Sequence, residues 1–114
     1  MRFDYIAPGS IKEATSLLSK YNGRARVIAG GTDLVPQIRN KICKPEYVID
    51  VSCITELDYI KYDKQGGVSI GATTPIKTLE KSAELNQKHP VISEASSLLG
   101  STAIRNVATV GGNL

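Results

Sequence analysis

The chain of 114 residues predicts a mixed α and β fold, with strand–turn–helix units first and a β-hairpin after them. Three observations predict it. An alternating apolar start runs into a helix-capping serine. Two short apolar runs, "ARVIAG" and "EYVIDV", flank a helix-like segment. In the second half a turn rich in Asp and Gly joins two strand-like pieces. No self-similarity at a period of about 20 to 50 residues argues for a repeat architecture instead.

Each element has its own signal. "RFDYIA", Arg2 to Ala7, alternates enough for a strand, and Pro8 and Gly9 end it. "SIKE" is a capping box, with Ser10 as N-cap and Glu13 three residues on. Ile11, Ala14, Leu17, Leu18 and Tyr21 then share one helical face, and Asn22 and Gly23 stop the helix. "ARVIAG" reads as a short buried strand. "TDLVPQIRNK" reads as a helix with Pro36 tolerated in its first turn. "EYVIDV", Glu46 to Val51, is another apolar strand. "DYIKYDKQGGVSIGA" is a hairpin turning through Asp63, Gln65, Gly66 and Gly67. "TTPIKTLEKSAEL" starts a helix with Thr74 as cap and Pro75 at the first helical position. "HPVISEASSLLG" is a second helix with Pro90 in its first turn, Gly100 past its end and an inward face of Val91, Ile92, Ala95, Leu98 and Leu99. The tail "STAIRNVATVGGNL" reads as short strand-like pieces with a glycine corner.

Composition removes several function classes. With 41% hydrophobic and 22% charged residues the chain is globular rather than disordered, and at this size a core without staples is feasible. Net charge is +3. The positive residues are scattered, with one loose group at Arg39, Lys41 and Lys44 that reads as a solvated face. A nucleic-acid surface needs a clustered stripe with stacking aromatics, so no nucleic-acid partner is expected. Cys43 and Cys53 lack metal-ligand spacing, so no metal is expected. "MRFDYIAPGS" has no apolar core of a signal peptide, and no run approaches the ~18 apolar residues of a membrane span. The expectation is a cytoplasmic protein with free thiols.

The chemistry concentrates in "VIAGGTDL". A strand ends at Ala29, and Gly30 and Gly31 let a ligand approach the main chain. A helix opens next, and its first N–H groups and dipole favour an anion, which suits a phosphate or a pyrophosphate. A tight turn with no ligand accounts for the same two glycines. No Lys-Ser or Lys-Thr follows, so this is not a P-loop, and the G-x-G-x-x-G spacing of a Rossmann fingerprint is absent. Asp33 would repel a phosphate and is better placed as the cap of the new helix.

A second corner, "ATVGGN", lies about 75 residues further on. "AGGTDL" followed by "IRNVATVGGN", with the opening "FDYIAPGSIKEATSLL" and the middle "SIGATTPI", resembles the FAD-binding subunit or domain of the molybdenum hydroxylases, such as the carbon monoxide dehydrogenase medium subunit and the FAD-binding part of xanthine dehydrogenase. The resemblance covers essentially the whole chain. It implies an α+β FAD-binding fold of the vanillyl-alcohol oxidase (PCMH) type, with residues 1–56 as the first FAD-binding subdomain and residues 57–114 as the start of the second, cut at the second glycine motif. Val27, Ile28, Ala29, Gly30, Gly31, Thr32, Asp33 and Leu34 would wrap the FAD diphosphate with main-chain N–H groups. Thr109, Val110, Gly111, Gly112 and Asn113 would meet it from the other subdomain, with Val110 on the wall and Thr32, Thr109 and Asn113 adding side-chain hydrogen bonds.

The resemblance also implies a role. Electrons released at a molybdopterin large subunit would pass through an iron–sulfur small subunit to FAD and on to NAD or another acceptor. The redox chemistry then belongs to the cofactor, and no catalytic nucleophile is expected. His89 reads as structural or exposed, and Tyr5, Tyr47, Tyr59 and Tyr62 as core or hairpin packing. Family members continue well past the second motif, so the chain is expected to be an N-terminal fragment, an oxidoreductase component inactive by itself. An FAD oxidoreductase of the same fold unconnected to molybdenum, or a non-enzymatic binding module with plain glycine turns, are the alternatives.

Overall fold

The computed structural model describes residues 3–29 and 44–113. The first part is a parallel sheet of order β1–β3–β2, formed by β1 (Asp4–Ile6), β2 (Ala25–Ile28) and β3 (Tyr47–Asp50). Ile6 and Val27 both sit opposite Ile49, and Tyr5 and Arg26 both sit opposite Val48. Val48 and Ile49 point to opposite faces of the sheet, and both are buried. A strand apolar on both faces belongs at the centre of a parallel sheet, which explains why the third strand in sequence lies between the first two.

Helix α1 (Ile11–Lys20) connects β1 to β2. The Ser10 hydroxyl accepts the Glu13 amide at 3.1 Å, while the Glu13 carboxylate reaches back to the Gly9 amide at 3.2 Å, one residue before the usual partner. Ala14 is buried and Leu17, Leu18 and Tyr21 are half-buried, whereas Ile11 is exposed. Gly23 ends the turn in the left-handed region at φ 78°. The Tyr21 ring stacks on Tyr47 with centroids 3.7 Å apart. The expectation of a buried second strand fails. Val27 is 45% exposed, because β2 has one strand neighbour among the described residues and lies at the sheet edge.

The second part begins with the antiparallel hairpin β4 (Ile60–Tyr62) and β5 (Val68–Ile70). Asp63 organises its turn, accepting the Gln65 and Gly67 amides at 2.9 and 2.8 Å. Short helices follow: α2 (Ile76–Lys81), α3 (Ala83–Lys88), α4 (Pro90–Ser97), α5 (Thr102–Val107) and the single turn α6 (Val110–Asn113). Ile76, Leu79, Leu85 and Ala108 form the core, and Ile60, Tyr62, Val68 and Ile70 of the hairpin pack on it. No helix among the described residues is long and apolar enough to cross a membrane.

Four expectations for this half are corrected. The single helix after Thr74 is two helices. Ser82 has extended backbone (ψ 112°) and its hydroxyl accepts the Leu85 amide, so it ends α2 and caps α3. Thr74 is not the cap of α2; Pro75 occupies that position without a side-chain bond. The inward face of α4 is also different: Val91 and Leu98 are 75% and 78% exposed, Ala95 is exposed, and Ser93 and Ser96 are buried. Each serine satisfies its hydroxyl on a backbone carbonyl, Ser93 on Leu79 at 3.2 Å and Ser96 on Ile92 at 2.7 Å. That removes the cost of burying the hydroxyl and lets α4 approach α2 closely. Finally, the tail is helical rather than strand-like. Ser101 caps α5 by accepting the Ile104 amide, and one isolated bridge between Thr109 and Pro75 is its only extended pairing among the described residues.

Candidate functional site

The carboxyl ends of the three parallel strands share one edge, where ligands of open α/β sheets gather. Val27 and Ile28 close β2 at this edge and Ala29 follows. The Ile28 carbonyl accepts the Val51 amide at 3.0 Å, which ties the exit of β2 to the exit of β3. Gly30, Gly31, Thr32, Asp33 and Leu34, with the helix expected after them, lie outside the described residues.

Asp50 dominates the described part of this edge. Its carboxylate accepts the Ser52 amide at 2.9 Å, the Ser52 hydroxyl at 2.6 Å and the Tyr5 hydroxyl. Partial burial pushes the Asp50 carboxyl up, but the bonds from the Ser52 hydroxyl, Tyr5 and the Ser52 amide together hold it below the ordinary value. Tyr5 is held above its ordinary value, first by that bond to Asp50 and then by desolvation and the Asp50 charge. Tyr5 is thus an exposed hydrogen-bond donor, which corrects the packing role expected for it. The signal was present as "DVS", an aspartate two residues before a serine, which forms an Asx-type turn.

The second corner is built by two segments lying side by side. Thr109 pairs with Pro75 in an antiparallel bridge. The Ile76 amide donates to Ala108 at 2.8 Å, the Val110 amide to Thr74 at 3.1 Å and the Gly111 amide to Ala72 at 2.7 Å. The Gly112 amide donates to the buried Thr109 hydroxyl at 3.1 Å. The Val110, Gly111 and Gly112 amides are therefore committed within the chain. Gly111 has a local reason to be glycine: a Cβ there would lie 2.9 Å from the Ala72 carbonyl oxygen and 3.0 Å from its Cβ. Among the described residues, a Cβ at Gly112 would lie 2.9 Å from the Thr109 hydroxyl. Both glycines are exposed and Val110 is half-buried against the core.

Arg105, the cation nearest this corner in sequence, is occupied. Its Nε donates to Glu80 at 3.0 Å, Nη1 to the Leu99 and Gly100 carbonyls at 3.1 Å each, and Nη2 to the Thr102 hydroxyl at 3.2 Å. It ties α5 to α2 and to the turn after α4. His89 is half-buried and its backbone N–H closes α3 on the Leu85 carbonyl. Cys53 is free and exposed.

The polar groups and bare backbone of this corner fit the extended diphosphate stretch of a dinucleotide cofactor. The segment from Thr102 to Asn113 carries no carboxylate to repel a diphosphate. Gly111 and Gly112 present bare backbone, and the Thr109 hydroxyl keeps its own proton after accepting the Gly112 amide. The family of the FAD binding domain in molybdopterin dehydrogenase matches residues 1–114. The chain belongs to that family, and its cofactor is FAD. It is 37% identical over 113 residues to the nicotinate dehydrogenase FAD-subunit of Eubacterium barkeri, covering 98% of this chain and 38% of that protein. It is 39% identical over 111 residues to the carbon monoxide dehydrogenase medium chain of Afipia carboxidovorans, covering 97% of this chain and 38% of the relative. The reconstituted CO dehydrogenase from Oligotropha carboxidovorans has the same fold, with TM-score 0.96 at 38% identity, over 99% of this chain and 39% of that one. The chain therefore spans about two-fifths of the length of the relatives it matches.

Proposed function

We propose that this chain is the diphosphate-holding part of an FAD-binding component in a molybdopterin-dependent dehydrogenase. The observation that carries the reading is the family match across residues 1–114, which includes both glycine corners. Residues 1–56 form the first FAD-binding subdomain of the PCMH type and 57–114 begin the second, in keeping with the separate parallel sheet and hairpin. FAD, when bound, accepts electrons from an iron–sulfur subunit, which receives them from a molybdopterin large subunit, and delivers them to NAD or another acceptor. The working location is the cytoplasm.

This chain's own residues bind and position. Val27, Ile28 and Ala29 stand at the carboxyl edge of the sheet, and Gly30, Gly31, Thr32, Asp33 and Leu34, next in the chain, are assigned to the diphosphate. Val110 forms a wall, Gly112 admits the ligand to the backbone, and Thr109 and Asn113 offer polar groups. The second corner contributes shape and hydroxyl hydrogen bonds more than free amides, because the described amides of 110–112 are used internally. Amide donation to the diphosphate falls to the first corner. The remaining length of the relatives would carry the adenosine-side and flavin-side contacts.

The test is to purify the protein from its full open reading frame and measure its visible spectrum and released nucleotide. Equimolar bound FAD is expected; a colourless, folded protein would refute the reading. Co-purification with iron–sulfur and molybdopterin subunits tests the partner assignment separately.

A further inference from the structure

A cleft of about 530 Å³ lies between β4, α2 and α5, a volume in the range of small-molecule sites. Ile60 and Pro75, both half-buried, give it apolar surface. Lys77 and Lys81 of α2 bring two cations to it, and Thr78 and Asn106 bring a hydroxyl and an amide that can donate. Among the described residues no carboxylate lines the cleft, and neither does any of Thr109, Val110, Gly111 and Gly112. It is therefore separate from the second glycine corner.

The charge in the cleft is uncompensated. Lys77 and Lys81 stand four residues apart on one helix, so they share a face and repel each other. Lys77 is half-buried, and neither ammonium has an ion-pair partner among the described residues. On α3 the same spacing is used the opposite way: Lys88 stands four residues after Glu84 and pairs with it at 2.9 Å. Glu80, the carboxylate nearest Lys81 in sequence, is held by Arg105 at 3.0 Å.

We propose that this cleft binds a small organic phosphate other than FAD, with the phosphate between the Lys77 and Lys81 ammonium groups and an apolar body against Ile60 and Pro75. A dianion matches the two cations, relieves their repulsion and gains two charge-assisted contacts, whereas a carboxylate neutralises one. A bare phosphate would leave the apolar wall wet and most of the volume unused. Thr78 and Asn106 supply hydrogen bonds to the phosphate oxygens or to a hydroxyl of the ligand.

The test is isothermal titration of the protein from its full open reading frame with phenyl phosphate, which joins a dianionic phosphate to an apolar ring. A dissociation constant on the order of 1 mM is expected, with inorganic phosphate and benzoate each about tenfold weaker, the first for want of the ring and the second for want of charge. Lys77→Gln and Lys81→Gln should each weaken phenyl phosphate about tenfold without lowering the melting temperature, because each removes one of two repelling charges. Lys12→Gln, which removes the same charge from the exposed face of α1, is the control and should change the affinity less than about twofold. FAD-loaded and FAD-stripped protein should bind phenyl phosphate equally. The proposal is overturned if phenyl phosphate does not bind, if inorganic phosphate or benzoate binds as well, or if Lys12→Gln loses as much as the cleft variants. It is also overturned if FAD displaces the probe, which would place the probe in the diphosphate site. Lys81 is exposed, so Lys81→Gln decides the matter by itself should Lys77→Gln fail to fold.

Discussion

Replacing Arg105 by Met keeps most of the aliphatic stem and removes the guanidinium. The structure sets the size of the effect. Arg105 and Glu80 are 13% and 27% exposed, so their ion pair lies between a surface pair, at about 0.2–1 kcal/mol, and a buried pair broken from one side, at about 3–5 kcal/mol. A value of about 2 kcal/mol follows from that intermediate burial. The Leu99 and Gly100 carbonyls each lose a bond from a charged donor. Gly100 is exposed and recovers water, while Leu99 is half-buried, which adds about 1 kcal/mol. The total of about 3 kcal/mol lowers the melting temperature by roughly 10 °C for a domain of this size. The assay is thermal unfolding by circular dichroism on wild type, Arg105→Met, Glu80→Gln and the double variant. The pair should couple by about 1 kcal/mol or more, the double variant losing less than the sum of the singles. A loss below about 0.5 kcal/mol for Arg105→Met, or additive losses, would refute the assignment of Arg105 as the tie between α5 and α2.

Further outcomes follow from the same geometry. Gly111→Val should destabilise the fold by about 1–3 kcal/mol through overpacking against Ala72; Gly112→Val, whose Cβ would press on the Thr109 hydroxyl at 2.9 Å, should also lower the melting temperature and should release FAD, and retention of FAD by a folded Gly112→Val removes that glycine from the site. Ser82→Ala should cost about 1 kcal/mol by uncapping α3, measurable by urea unfolding. For Asp50, whose folded value is lowered, the stability advantage of wild type over Asp50→Asn should be full above the ordinary carboxyl value of 3.8 and vanish as the pH falls through the lower folded value. For Tyr5, whose folded value is raised, the advantage over Tyr5→Phe should be full below 10.0 and vanish as the pH rises through the higher folded value; unfolding curves across both ranges check the two signs.

What was legible in the sequence was local or strongly patterned. The Ser10 and Glu13 box, the glycine stop after α1, the central apolar strand and the Asp63 turn each depend on a few neighbouring residues, and all stand in the structure. Neither glycine pair stands out alone, because a tight turn explains each as well; the pairing of the two with their flanking residues singles them out, and the first lies outside the described residues. The misreadings came from tertiary context. Ser93 and Ser96 do not read as core residues because the Ser93 hydroxyl finds the Leu79 carbonyl only once α4 meets α2, and the Ser96 hydroxyl is satisfied on Ile92 within α4. Ile104 and Val107 suggested strands, but the Ser101 cap and the Arg105 ties hold them in a helix. Thr74 looked like a helix cap from its place before Pro75, yet its hydroxyl serves Tyr59, fifteen residues away. Sequence reading assigned the second corner's glycines wholly to ligand approach, while Gly111 is also required by Ala72.

The most direct measurement is the FAD content of the protein from its full open reading frame, set beside that of its Gly112→Val variant. Equimolar FAD is expected in the first and a folded, colourless second; a folded wild type without flavin, or a variant that keeps it, would contradict the assignment of this chain to FAD binding through Gly112.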